Sequence, residues 1–192
     1  MKRRWVLAGL MVVVLTATGW VSTGCGGGGG GGGGSPTEPP PPSSGISFSA
    51  DSSAGANSIY LSSGGGSGSV FILDVDAQSV TDLYGVSFVL TYPDNLLSFT
   101  RDSQEEGSFL SESGSVDTDL QVSQRTAGEV VVGISRLGEV PGAAGSGNLL
   151  SLRFTRRAAG SGAMEMTDHD AVDSFGDVQL DVTWISGTVT VR

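Results

Sequence analysis

From residue 46 onward apolar and polar residues alternate with a period of two, which puts successive side chains on opposite faces of an extended strand. In SVFILDVDA, Phe71, Leu73 and Val75 fall on one side and Asp74 and Asp76 on the other. In LYGVSFVLTY, Tyr84, Val86, Phe88, Leu90 and Tyr92 alternate with Gly85, Ser87, Val89 and Thr91. The same reading holds for ISFSA (46–50), LLSF (96–99), LQVSQ (120–124), EVVVGIS (129–135), LLSLRFT (149–155), AMEM (163–166) and VTWISGTVTV (182–191), nine segments in all. Turn signals such as Pro93-Asp94-Asn95, Ala127-Gly128, Pro141-Gly142 and Ala159-Gly160 separate them. Helical periodicity is confined to the first residues. Short, regularly spaced, half-buried strands predict an all-β fold in which two antiparallel sheets pack face to face.

The first 45 residues follow different rules. Lys2, Arg3 and Arg4 precede the apolar run WVLAGLMVVVL (5–15), which is shorter than the roughly 20 residues a membrane-spanning helix needs. This is the pattern of an export signal over residues 1–24. It leads into Ser22-Thr23-Gly24-Cys25, and Cys25 is the single cysteine of the chain, with no second thiol to pair with. The segment resembles the lipobox of bacterial lipoproteins, which implies acylation of Cys25 and anchorage to a membrane at the cell envelope or cell surface. Nine glycines and the stretch PTEPPPPSS then form a segment, 25–45, that has almost nothing to bury and reads as a disordered tether. Residues 46–192 are the domain it carries.

Charge narrows the function classes. The chain has 10 Lys and Arg against 20 Asp and Glu, and three of the cations, Lys2, Arg3 and Arg4, belong to the signal. So acidic a domain repels phosphate backbones, which excludes nucleic acid as a partner. Catalytic parts are missing as well: there is one histidine, His169, no thiol within the domain, and no G-x-S-x-G motif. The chain is therefore read as no enzyme. In TDHDAVDSFGDVQLD, Asp168, Asp170 and Asp173 are the oxygen donors a Ca²⁺ ion between strands would use, but the spacing is not that of an EF-hand. A solvated acidic loop with an exposed His169 is the reading the pattern favours.

Three runs point further: LYGVSFVLTYPDNLLSF (83–99), SRLG (135–138) and GSGNLLSLRF (145–154). With the closing GTVTV, they make the domain resemble a cohesin, the non-catalytic receptor that binds dockerin modules of polysaccharide-degrading enzymes. The resemblance implies a nine-stranded jelly roll, shared with carbohydrate-binding modules. It also implies a dockerin-like partner, seated on the outward side of the strands carrying Gly85, Ser87, Val89 and Thr91, and Val131, Gly133 and Ser135, extending to Arg136 and Leu137. Cohesins often carry Asn and Asp at the positions of Gly85 and Ser87. The change implies a divergent dockerin-like module or another surface protein. Two alternatives stay open, a polysaccharide-binding module that uses Trp184 and a structural envelope protein.

Overall fold

A computed structural model describes residues 45–179 and 181–192. The expected signal, Cys25 and the tether up to residue 44 lie outside the described residues. The strands are β1 (Ile46–Ala50), β2 (Ser58–Gly65), β3 (Val70–Leu83), β4 (Gly85–Thr91), β5 (Leu97–Phe99), β6 (Glu105–Glu106), β7 (Thr118–Thr126), β8 (Glu129–Arg136), β9 (Ala143–Arg156), β10 (Gly160–Val172), β11 (Thr183–Ile185) and β12 (Gly187–Val191). One helical turn, α1 (Ser108–Ser111), connects β6 to β7. The first sheet runs β1-β12-β10-β4-β8-β7 and the second β11-β2-β3-β9-β5, with β6 beside β9.

This is the expected two-sheet sandwich, with twelve strands where the sequence reads as nine. The difference has three sources. VTWISGTVTV divides at Ser186, so that β11 pairs in parallel with β2 in the second sheet while β12 pairs with β1 and β10 in the first. β6 has two residues, both exposed, and carries no period. In β2 the alternation spans only a few residues before the Ser/Gly run that ends it.

The core forms between the inward rows. Phe71, Leu73, Val75 and Ala77 of β3 are at most 1% exposed, and they meet Phe88 and Leu90 of β4, Val130, Val132 and Ile134 of β8, and Leu150, Leu152 and Phe154 of β9. Beyond Ala77 the buried positions step to Val80 and Leu83, every third residue. Ser79 and Asp82, with φ of 48° and 52°, take up the extra residues as bulges at two of the three register shifts against β9, those between Ala77 and Val80 and between Val80 and Leu83. A strand that reads as ending at Ala77 therefore continues for six more residues.

The Arg192 amide donates to the Gly45 carbonyl (3.0 Å), so the chain enters the domain beside its last residue. In the first sheet that end is also where β10 begins, since Gly160 pairs with Val191. The far end, where β10 finishes and β4 begins, lies about 40 Å away for thirteen extended residues.

Candidate functional site

The outward rows of the first sheet can be read directly from its register. Across β10, β4, β8 and β7, one row is Val172, Gly85, Ser135 and Asp119; the next is Asp170, Ser87, Gly133 and Gln121; the third is Thr167, Val89, Val131 and Ser123. The expected residues Gly85, Ser87, Val89, Thr91, Val131, Gly133 and Ser135 thus share one face, because strict alternation carries all of them to the side opposite Phe88 and Ile134. Ser87 is exposed and Val131 is 37% exposed. Thr91 is half-buried, its hydroxyl donating to the Glu165 carbonyl (3.4 Å).

The first two rows enclose a depression of about 320 Å³, open to solvent and largely apolar. Gly85 and Gly133 have no side chains to fill it, the backbone at Val86 and Ile134 lies beneath, and Asp170, Val172, Asp119 and Gln121 edge it. A Cβ at Gly133 would touch nothing within 4 Å, whereas one at Gly85 would come within 3.0 Å of the Ile134 carbonyl oxygen and the Ser135 Cβ. Packing requires the first strand's glycine but not the second's.

Two expected contact residues are corrected. Arg136 is only 2% exposed: β8 continues through it, and alternation after Val130, Val132 and Ile134 turns it inward. Its guanidinium closes the end of the sandwich, donating to Glu112 Oε1 and to the Pro141 carbonyl, both at 2.5 Å. Val89 does lie on the outward row, yet it is 6% exposed, flanked by Thr167 and Val131 on the adjacent strands. Leu137, 49% exposed, stands at the edge where the sequence puts it.

The expected acidic loop is also corrected in part. Asp168 and Asp170 belong to β10: Asp168, with a φ of 47°, lies within the bulge in its pairing with β4, and Asp170 resumes the pairing opposite Ser87. Asp173 begins a tight turn, its Oδ1 accepting the amides of Phe175 and Asp177 (2.9 Å each). Among the described residues no three His, Cys, Asp or Glu side chains converge as a metal site would. The turn displays Phe175, 87% exposed, just past the depression-lining Val172. Asp82 fastens the turn by accepting from the Ser174 hydroxyl (2.9 Å) and also accepts the Gly142 amide (2.8 Å). The Ser174 hydrogen bond, helped by that amide, holds the Asp82 carboxyl below the usual range.

Trp184 is half-buried against Phe88, with ring centroids 6.1 Å apart. His169 stacks on it at 4.5 Å and 16°, so a flat sugar ring would have to displace an imidazole. Tyr92 is buried in the core, its hydroxyl accepting from the Gln124 side-chain amide (2.9 Å), whereas Tyr84 is half-buried outside the core, its hydroxyl donating to the Gly138 carbonyl (2.6 Å).

No protein-family model and no curated protein matches the sequence. Solved structures do match. A non-cellulosomal cohesin from the archaeon Archaeoglobus fulgidus superposes with a TM-score of 0.52 at 23% identity, over 70% of this chain and 89% of that one. This is the cohesin fold. A type II cohesin domain from the cellulosome of Acetivibrio cellulolyticus reaches 0.59 at 12% identity, over 71% and 95% of the two chains. The sixth cohesin of scaffoldin B from the same organism, solved in complex with a dockerin, reaches 0.58 at 15% identity, over 72% and 100%. At these identities the likeness fixes the cohesin fold and leaves the partner to the surface chemistry.

Asp119, Gln121 and Val172 were not legible as site residues. The alternation of TDLQVSQ marks Asp119 and Gln121 as outward, but only the order β10-β4-β8-β7 brings them to the same depression.

Proposed function

We propose that residues 46–192 are a non-catalytic protein-binding module, and that the outward face of β10-β4-β8-β7 receives a dockerin-like partner. The observation that carries this is the open, apolar depression at the end of that face where β10 finishes and β4 begins, in a domain whose second sheet turns Ser62, Asp74, Asp76 and Ser151 to solvent. Apolar surface left open to water commonly marks a partner site. The cohesin fold, and a structural neighbour solved with a dockerin, support the partner class. We further read the protein as exported and held at the cell envelope by acylation of Cys25, with dockerin-bearing enzymes of polysaccharide breakdown as the natural partners.

The test is capture of purified dockerins by the full chain, measured by surface plasmon resonance. Ser87→Arg places a long charged side chain on the outward face and leaves the core row untouched, so capture falls by about 100-fold or more while circular dichroism and melting stay as they were. Unchanged capture by a folded Ser87→Arg variant refutes this docking face. For the anchor, Cys25→Ala releases the protein from membranes, since acyl chains contribute about 0.8 kcal/mol per buried methylene. An unmodified Cys25 thiol in the mass spectrum of the wild-type protein would refute acylation.

A further inference from the structure

The depression also carries information about the chemistry of what fills it. Its two long edges are acidic: Asp170 on β10 and Asp119 on β7 stand three strands apart, about 15 Å between backbone positions at the usual strand spacing. Between them the surface is apolar or small. Gln121 Nε2 donates to Asp119 Oδ1 (2.8 Å), which leaves the other carboxylate oxygen free, and Asp170 makes no side-chain hydrogen bond among the described residues. No cation lines the depression. Arg125, on the same sheet, is committed to Glu129 at 3.0 Å, beyond the opposite end of the face, and Arg136 points inward.

Gly133 is the second line of argument. A glycine inside a strand weakens it relative to any residue with a side chain, and often marks a place where another chain approaches closely. Nothing in the fold requires one here, because a Cβ at this position meets open space. The strand forgoes that stability and keeps the floor of the depression bare.

We propose that the depression recognises a segment whose small or apolar contact is flanked on both sides by basic side chains, the contact seating over Gly133 and Gly85 and the cations reaching Asp119 and Asp170. The inference rests on the reading of this face as the docking surface, and adds to it the charge pattern of the partner. Such pairing across an interface sets orientation and rejects wrong partners more than it adds affinity. A module with acidic side chains at those places is repelled from both edges.

The experiment separates this from the docking reading itself. The ¹⁵N-labelled full chain is titrated with two matched synthetic peptides, each an alanine–leucine helix, one flanked by lysines and the other by glutamines. Ionic strength is about 0.01 M, where the screening length is about 30 Å. The lysine peptide shifts the Gly85 and Gly133 amide signals and binds about fivefold more tightly than the glutamine peptide, the scale of two partly exposed ion pairs. Asp119→Asn with Asp170→Asn brings the two peptides to equal affinity. Gly133→Val, which fills the floor without a clash, removes both responses and leaves the melting temperature unchanged or higher. Equal binding of the two peptides to the wild type, a lysine preference that survives the double substitution, or no shift at either glycine overturns the proposal. In any of these cases, loss of dockerin capture in Ser87→Arg still supports the docking face, and retained capture removes both.

Discussion

The two sheets present opposite solutions to facing water. On the second, the outward side chains of β2, β3 and β9 bond one another: Ser62 donates to Asp76 Oδ2 (2.6 Å), Asn148 to Asp76 Oδ1 (3.0 Å), and Ser151 to Asp74 Oδ1 (2.6 Å). On the first, Ser87, Ser135 and Asp170 have no side-chain partner among the described residues, and the floor between them is the bare backbone of Gly85 and Gly133. A self-bonded face is finished by the fold alone. A face with small residues and uncommitted polar groups has its valences left for another molecule. Both belong to one acidic domain, so net charge cannot distinguish them; the pattern of hydrogen bonds does.

The largest effect to be expected concerns Trp184, because a sugar-binding role for it would move function away from both faces. Trp184→Ala removes a ring packed on Phe88 and stacked under His169, and costs about 3 kcal/mol of stability with dockerin capture by the surviving folded protein unchanged. Loss of glycan mobility shift in affinity electrophoresis, in a variant that melts like the wild type, would sink the contrast between the faces. Next, Asp76→Ala strips the acceptor from Ser62 and Asn148 and lowers stability by about 1 to 2 kcal/mol in urea titrations, again without changing capture. Val131→Thr, on the other face, reverses the pattern. The side chain is 37% exposed and stays β-branched, so stability moves by less than about 0.5 kcal/mol while capture weakens measurably.

The smallest effect is a pH dependence from two carboxylates, Asp82 on β3 and Glu129 at the start of β8. The Asp82 carboxyl is held low by Ser174, and that of Glu129 by its hydrogen bond from Arg125. A depressed carboxylate contributes stability that is complete above the unfolded-state pKa and disappears as the pH falls through the folded value. Melting temperature therefore declines on acidification below about pH 4, and Asp82→Asn flattens part of that decline. If Asp82→Asn leaves the acid limb unaltered, the carboxylate does not fasten the Phe175 turn as its bonds indicate.

How much of this was legible in the sequence depends on whether a feature is local. Alternation is local, and it placed Phe88 inward and Ser87 outward correctly because each residue's side is set by its own strand. Arg136 was misjudged because strand length is decided by pairing: Arg136 continues β8 opposite Thr118, and one more residue of strand turns its side chain inward. Val80 and Leu83 were lost for a related reason, since Ser79 and Asp82 adopt positive φ with no glycine to announce it. Asp119 and Asp170 are 51 positions apart in sequence, and their meeting at one depression follows from sheet order, which no periodicity encodes.

The hydrogen bond from Arg192 to Gly45 also fixes how the domain meets mechanical load. A pull transmitted through the residues before Gly45, against a partner seated at Gly85 and Gly133, acts nearly along the strands, because entry point and depression lie at opposite ends of the first sheet. β1 takes that load first. It is paired with β12 over five register positions, Ile46 with Val191 through Ala50 with Gly187, and the force is directed along this ladder. The rungs are therefore sheared together, whereas a pull across the edge would open them one at a time. Resistance to such a force is a rate of unfolding rather than an equilibrium quantity. Under the proposed attachment through the residues before Gly45, β1 would carry its load in the orientation that yields most slowly.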